Sequence, residues 1–228
     1  MKRAFFLPYL FVVFLGVGAV RLQAEETASP SENLSFEQID NFRNERKYTE
    51  IIAALQPEDL AGKAGDLGKD VDQLYALRAL AHQVLKEGGE AEADYKRALT
   101  ESPDDGRNSL YWFGLAENYR MNLNDPAAAL SAYQRTVDLC FQRAYTTGWL
   151  PIQATISAVD ILCSESKFEE AQSLLQPYDG LIESIPPVWQ IKLLRASAEV
   201  YKGQGKEEEA NARFQKAQDL EGKPESTP

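Results

Sequence analysis

Few side chains in this chain have the types and spacing that chemistry requires. His82 is the only histidine, and Cys140 and Cys163 are the only cysteines among 228 residues. A zinc site or a paired-histidine mechanism needs several such ligands, so neither is expected. His82 falls in an apolar-periodic stretch at a position where large side chains recur, so it is expected as a packed core residue. Cys140 closes one expected helix, and Cys163 lies some dozen residues up the next. At ~1.5 Å per residue they stand roughly 18 Å apart, whereas a disulfide needs Cα atoms within about 7 Å. Two separate, mostly buried thiols are expected.

The acidic runs Glu207-Glu208-Glu209 and Asp104-Asp105 are the remaining candidates for acid–base or metal work. The first opens an expected helix, where the dipole favours negative charge, and the second follows Pro103 in a turn. Both are expected as solvated helix-start charge. No Gly-rich phosphate loop, G-x-S-x-G elbow, H-E-x-x-H or C-x-x-C is present. The chain is therefore expected to have no catalytic residue, no metal ligand and no cofactor, and not to be an enzyme. A cell-wall hydrolase would need a carboxylate pair or a nucleophile in a cleft, and no such spacing occurs. A small-ligand carrier stacking its ligand on Trp112, Trp149 or Trp189 is a further class.

The elements that would position any site begin after an export signal. Lys2 and Arg3 precede the apolar run from Ala4 to Val20, and Leu22-Gln23-Ala24 offers a small residue before Glu25. This is the layout of a secretory signal peptide over residues 1–24, with cleavage near Ala24 and a periplasmic or secreted product in the bacterial envelope. Arg21 is irregular there, so an uncleaved anchor through residues 4–20 is the alternative. Removing 1–24 takes the net charge from −11 to −14, a surface that repels nucleic acid and anionic lipid. Residues 25–34 read as a flexible leader and 221–228 as a disordered tail.

Between them the apolar spacing is helical, with no alternating β-branched stretch. Ser35 with Gln38, and Ser166 with Glu169, have the capping-box spacing. Asp125-Pro126, Pro151 and Pro186-Pro187 suit helix starts, while Gly88-Gly89 and Gly203 with Gly205 suit turns. These marks divide 35–220 into about ten helices paired as helix A and helix B: 35–46 with 48–61, 71–87 with 89–101, 107–122 with 126–142, 151–164 with 167–176, and 187–203 with 206–220.

A phrase of small and aromatic residues recurs in helix B. It reads Ala91, Tyr95, Ala98, then Pro103; Ala129, Tyr133, Thr136; and Ala210, Phe214, Ala217. Helix A carries Trp112, Leu115, Ala116 and Tyr119 in one unit, and Ala198 with Tyr201 in another. Small residues let two helix backbones approach, and the aromatics fill the space beside each crossing, so all of these are expected in a shared core.

On these residues the chain resembles the tetratricopeptide repeat (TPR) family, whose pattern is Trp-x2-Leu-Gly-x2-Tyr and then Ala-x3-Phe-x2-Ala with Pro. The resemblance covers about 35–220 and implies an all-α fold, a right-handed α-solenoid of about five antiparallel helix pairs. The first small positions, Ile51, Ala91, Ala129, Ala171 and Ala210, are 40, 38, 42 and 39 residues apart, against about 34 in the family. One extra residue stands between Tyr119 and Ala129. HEAT-like repeats, with a period of about 40–47, are the alternative.

The resemblance also implies a function: an exported scaffold or adaptor that binds a protein or peptide segment on the concave face lined by the A helices. Projected onto this sequence, that face holds Phe36, Arg43, Gln73, Gln83, Phe113, Glu117, Arg120, Gln153, Asp160, Arg195 and Lys202. The cations Arg43, Arg120, Arg195 and Lys202 suggest an acidic or carboxylate-ended partner. The alternative is a structural subunit of a membrane-anchored envelope assembly.

Overall fold

The computed structural model describes residues 35–102 and 105–222. The expected signal segment 1–24, the leader 25–34, Pro103, Asp104 and the tail beyond 222 lie outside them. The described chain forms eleven α-helices and no strand. Five antiparallel pairs follow one another: α1 (Phe36–Asn44) with α2 (Tyr48–Ala54), α4 (Val71–Val84) with α5 (Gly88–Glu101), α6 (Asp105–Asn118) with α7 (Pro126–Gln142), α8 (Trp149–Ser164) with α9 (Phe168–Leu175), and α10 (Pro187–Gly203) with α11 (Glu207–Glu221). A short α3 (Leu60–Asp66) stands between the first two pairs.

Local side chains start these helices. Ser35 Oγ accepts from Gln38 N at 3.3 Å while Gln38 Oε1 accepts from Ser35 N at 2.8 Å, closing the expected box on α1. Asp125 caps α7 by accepting from Ala128 N at 2.9 Å, and Pro126 takes the first helical position. Asp70 and Gln73 form a capping box on α4 that has the same spacing with a carboxylate in place of the hydroxyl.

The turn inside each pair repeats one geometry. Arg46, Lys86, Asn124, Ser166 and Gly205 have positive φ of 61°, 68°, 51°, 59° and 73°. Each stands five residues before the first small position of its helix B. The following N–H bonds back into helix A, Lys47 N to Phe42 O at 2.7 Å, Glu87 N to His82 O at 2.9 Å, Lys167 N to Leu162 O at 2.8 Å and Lys206 N to Tyr201 O at 2.9 Å. This is the left-handed helix stop. Ser166 is therefore the turn residue and not the N-cap of α9, which is Lys167. Gly88 is likewise the first residue of α5, the turn falling on Lys86.

The third unit keeps the geometry with one residue more. Tyr119–Leu123 form a π-turn, and Asp125 N reaches Tyr119 O at 2.9 Å. A π-turn absorbs a single inserted residue without changing the face a helix presents, so the insertion seen between Tyr119 and Ala129 leaves the register intact. The long spacings also have local causes. Pro57 ends the expected 48–61 helix early, and a 3₁₀ turn with α3 fills the gap. Two 3₁₀ turns, Gln176–Tyr178 and Ile182–Ser184, separate α9 from α10. The α8 helix starts at Trp149, two residues ahead of Pro151.

The core runs from pair to pair. Ala79, Tyr95 and Leu115 pack across α4, α5 and α6, with Trp112 and Tyr119 partly buried against them. Ala116, Ala129 and Tyr133 continue into Leu150, Ala154 and Ala158 of α8. Ile152, Val159 and Ala171 then meet Leu193, Ala196 and Val200 of α10. Ala91, Ala98, Ala198, Ala210 and Ala217 are buried as expected, and Tyr201 is half-buried. Burying a side chain such as Tyr133 contributes on the order of 1.5–3 kcal/mol.

Phe214 departs from expectation, being 45% exposed. Its counterparts Leu55, Tyr95, Tyr133 and Leu175, four residues after the first small position, are all buried. Each of those is covered by a following helix pair, and no described helix covers Phe214. Among the described residues no helix is long and apolar enough to cross a membrane.

Candidate functional site

Stacking divides the surface of each A helix into faces. In α6, Tyr111, Gly114, Leu115 and Asn118 face the preceding pair. Tyr111 Oη donates to Asp72 Oδ2 of α4 at 2.8 Å, and Asn118 Nδ2 donates to Gly88 O of α5 at 2.8 Å. Phe113 faces the following pair, its ring 5.8 Å from that of Trp149 on α8 and 5.9 Å from that of Tyr133. Phe113 was expected on the inner wall, but it is only 4% exposed. Residue 113 lies where two units interlock, and an aromatic there buries its ring in the joint.

A third face stays open. Two positions recur along it, two before and one after the residue to which each turn bonds back. The first holds Asp40, Leu80, Glu117, Asp160 and Glu199; the second holds Arg43, Gln83, Arg120, Cys163 and Lys202. None of these ten residues is buried. Glu117 and Asp160 thus share the first register, and Gln83, Arg120 and Lys202 share the second with Arg43 of the first unit.

The cations here are mostly occupied. Arg43 pairs with Asp40 at 2.6 Å, and Arg120 Nη2 with Glu117 Oε2 at 2.6 Å. Arg120 Nε also donates to Tyr133 Oη at 3.1 Å, and Tyr133 Oη donates to Glu117 Oε1. Burial raises the Tyr133 phenol's pKa, and the Glu117 charge adds to it. Arg195 pairs with Glu221 of α11 at 2.7 Å, and Phe36 lies under Lys69, whose Nζ is 4.1 Å from the ring centroid. The cations from which an acidic partner was expected are thus partly neutralised, since Arg43, Arg120 and Arg195 each lie against a carboxylate of the chain.

In the fourth unit a thiol replaces the cation. Asp160 is solvent-exposed, yet burial by surrounding protein raises its pKa, opposed by the charge of Arg120 one unit away. Cys163 is half-buried; burial raises its pKa first, and the carboxylates of Asp160 and Glu199 raise it further. The repeated register places Arg120, Asp160, Cys163 and Glu199 along one strip across α6, α8 and α10. Arg120 and Asp160 were expected on this face, while Cys163 and Glu199 were not, because their register appears only once the turns are aligned.

The chemistry-bearing residues lie elsewhere. His82 is buried, its Nδ1 2.7 Å from Glu87 Oε2 and its Nε2 3.7 Å from Asp94 Oδ2. Arg78 Nε donates to Asp94 Oδ2 at 2.7 Å. Burial raises the pKa of Asp94, and Arg78 opposes the shift. Cys140 is buried, with its pKa raised by burial and countered by a hydrogen bond with Ser109. Both cysteines are free thiols. Among the described residues no group of three or more His, Cys, Asp or Glu is placed to hold a metal ion.

No family model and no curated protein matches the sequence. Solved structures do match its fold. BtubC (BKLC) from P. vanneervenii is 17% identical with a TM-score of 0.66, over 84% of this chain and 83% of that one. The nearly identical TPR-like repeats of a Podosopora anserina kinesin light chain are 12% identical with a TM-score of 0.64, over 84% and 96%. MamA is 15% identical with a TM-score of 0.61, over 84% and 95%. At these identities the likeness is one of fold, and the fold of this chain is a TPR-like α-solenoid of stacked helix pairs.

Proposed function

We propose that this chain is an exported scaffold or adaptor that binds a segment of another protein along the open face of its A helices. The observation that carries the reading is the ladder itself. Stacking buries two faces of each A helix and leaves the same third face open in unit after unit, which makes an extended surface one segment can follow.

With Arg43 and Arg120 held by Asp40 and Glu117, the charge left for a partner at the fourth unit is negative. The bound segment accordingly places a Lys or Arg against Asp160 and Glu199.

Binding rather than catalysis is supported by the raised thiol pKa values, which leave little thiolate at neutral pH, and by the burial of His82. The Lys2-Arg3 start, the apolar run and Ala24 support export to the bacterial envelope, with removal of residues 1–24.

The test is affinity capture from native envelope extracts with Asp160→Lys combined with Glu199→Lys. Loss of the protein captured by wild type is expected, while Glu207→Lys with Glu208→Lys, at the start of α11, leaves capture unchanged. Equal capture by wild type and the ladder variant contradicts the reading.

A further inference from the structure

The two ends of the stack expose faces that are buried everywhere between them. The face that meets a preceding pair is Leu193, Ala196 and Val200 in α10, packed in one core with Leu175 of α9. At the registers of Ala196, Ser197 and Val200, α1 holds the polar residues Glu37, Gln38 and Asn41, with Glu45 one turn on, and all four are exposed; the register of Leu193 falls on residue 34, outside the described residues. The face that meets a following pair carries Phe113 and Tyr133 in the third unit. The fifth unit holds Arg195 and Phe214 at those two registers, with Lys202 at the register of Arg120, and all three are exposed.

We propose that copies of this chain associate head to tail, α1 of one copy docking on the exposed face of the α10–α11 pair of the next in the place a following helix takes within the stack. Two observations choose a second copy as the occupant. The receiving face continues the interface that α6, α8 and α10 fill within the chain, because Phe214 holds the register of Tyr95, Tyr133 and Leu175. The charges are also complementary, with Arg195 and Lys202 around Phe214 on one end and Glu37 and Glu45 beside Asn41 on the other. Arg195 already pairs with Glu221 at 2.7 Å and Glu45 with Lys47 at 2.8 Å, and both pairs are exposed on both sides, so they can exchange partners with little loss. The contact is heterologous, so it grows into a ring or an open chain and does not stop at a symmetric dimer. A largely polar face makes it weak and sensitive to salt.

Sedimentation of the full chain tests this with two variants, Arg195→Glu with Lys202→Glu, and Glu37→Arg with Glu45→Arg. All four substituted residues are exposed, and circular dichroism checks that each variant keeps its helix content. Wild type is expected to gain average mass steadily from micromolar to millimolar concentration at low salt and to lose it at high salt. Each variant alone is expected to stay monomeric, while an equimolar mixture grows again, since the intact tail meets the intact head and the reversed tail meets the reversed head. Wild type that stays monomeric over that range overturns the proposal. So does a dimer that either variant still forms with itself.

Discussion

Tyr95 of α5 lies so close over Gly114 of α6 that a β-carbon on residue 114 would sit 2.5 Å from Cζ and 2.7 Å from Oη of the ring. The ring cannot swing away, being buried and tied through its hydroxyl to Gln83 Oε1 at 2.8 Å. One glycine thus sets how near the second and third pairs approach. Gly114→Ala is expected to destabilise the chain by about 1–3 kcal/mol through overpacking, although alanine favours a helix interior by about 1 kcal/mol. Urea melts check the sign, and adding Tyr95→Leu should recover part of the loss.

Two aromatics at one register should respond differently. Tyr133 is fully buried beneath α8, whereas Phe214 is 45% exposed. Tyr133→Ala is expected to cost about 3–5 kcal/mol, and Phe214→Ala on monomeric protein less than about 1 kcal/mol. Thermal melts of the two variants at low concentration measure the difference.

The crossings inside pairs are equally tight. Ala91 is fully buried where α5 meets α4, so Ala91→Leu is expected to lose about 1–3 kcal/mol. Ala210→Leu in the last pair acts in the same direction. A melt unchanged by either substitution would count against the assigned register.

Ser166 distinguishes a cap from a turn. As an N-cap, Ser→Gly would cost a few tenths of a kcal/mol. At φ 59° the left-handed backbone strains any residue with a β-carbon, so Ser166→Gly is expected to stabilise by about 0.5–1 kcal/mol. Chemical denaturation with matched slopes reads the sign directly.

The two thiols should label in order. Cys140 is buried and Cys163 half-buried, and both pKa values are raised. A raised pKa means less thiolate at a given pH, so native labelling is expected to be slow near neutrality and to speed up only above the ordinary thiol range, Cys163 leading. Both should label after denaturation without reductant, and an absence of free thiol would refute their separation.

The pairing of helices was legible because small and aromatic residues recur with caps such as Ser35 and Asp125 at the right offsets. The turns were less so. Only Gly205 and Asn124 announce a left-handed residue, while Arg46, Lys86 and Ser166 adopt it because the following N–H gains a bond back into helix A. Ser166 was misread for that reason. Periodicity placed Phe113 and Phe214 on A and B helices correctly but could not say which neighbour covers them. One is buried by Trp149, and no described helix covers the other. The open strip of Asp160, Cys163 and Glu199 depends on alignment between units, which local spacing does not carry.

Photo-crosslinking in the native envelope tests the binding face most directly. A crosslinking amino acid at Gln83 or Asp160 is expected to trap one and the same protein, while the same group at Lys96 or Arg135, exposed on the B helices, traps none of it. Equal trapping from both sets of positions, or trapping from the B helices alone, would contradict a partner held along the A helices.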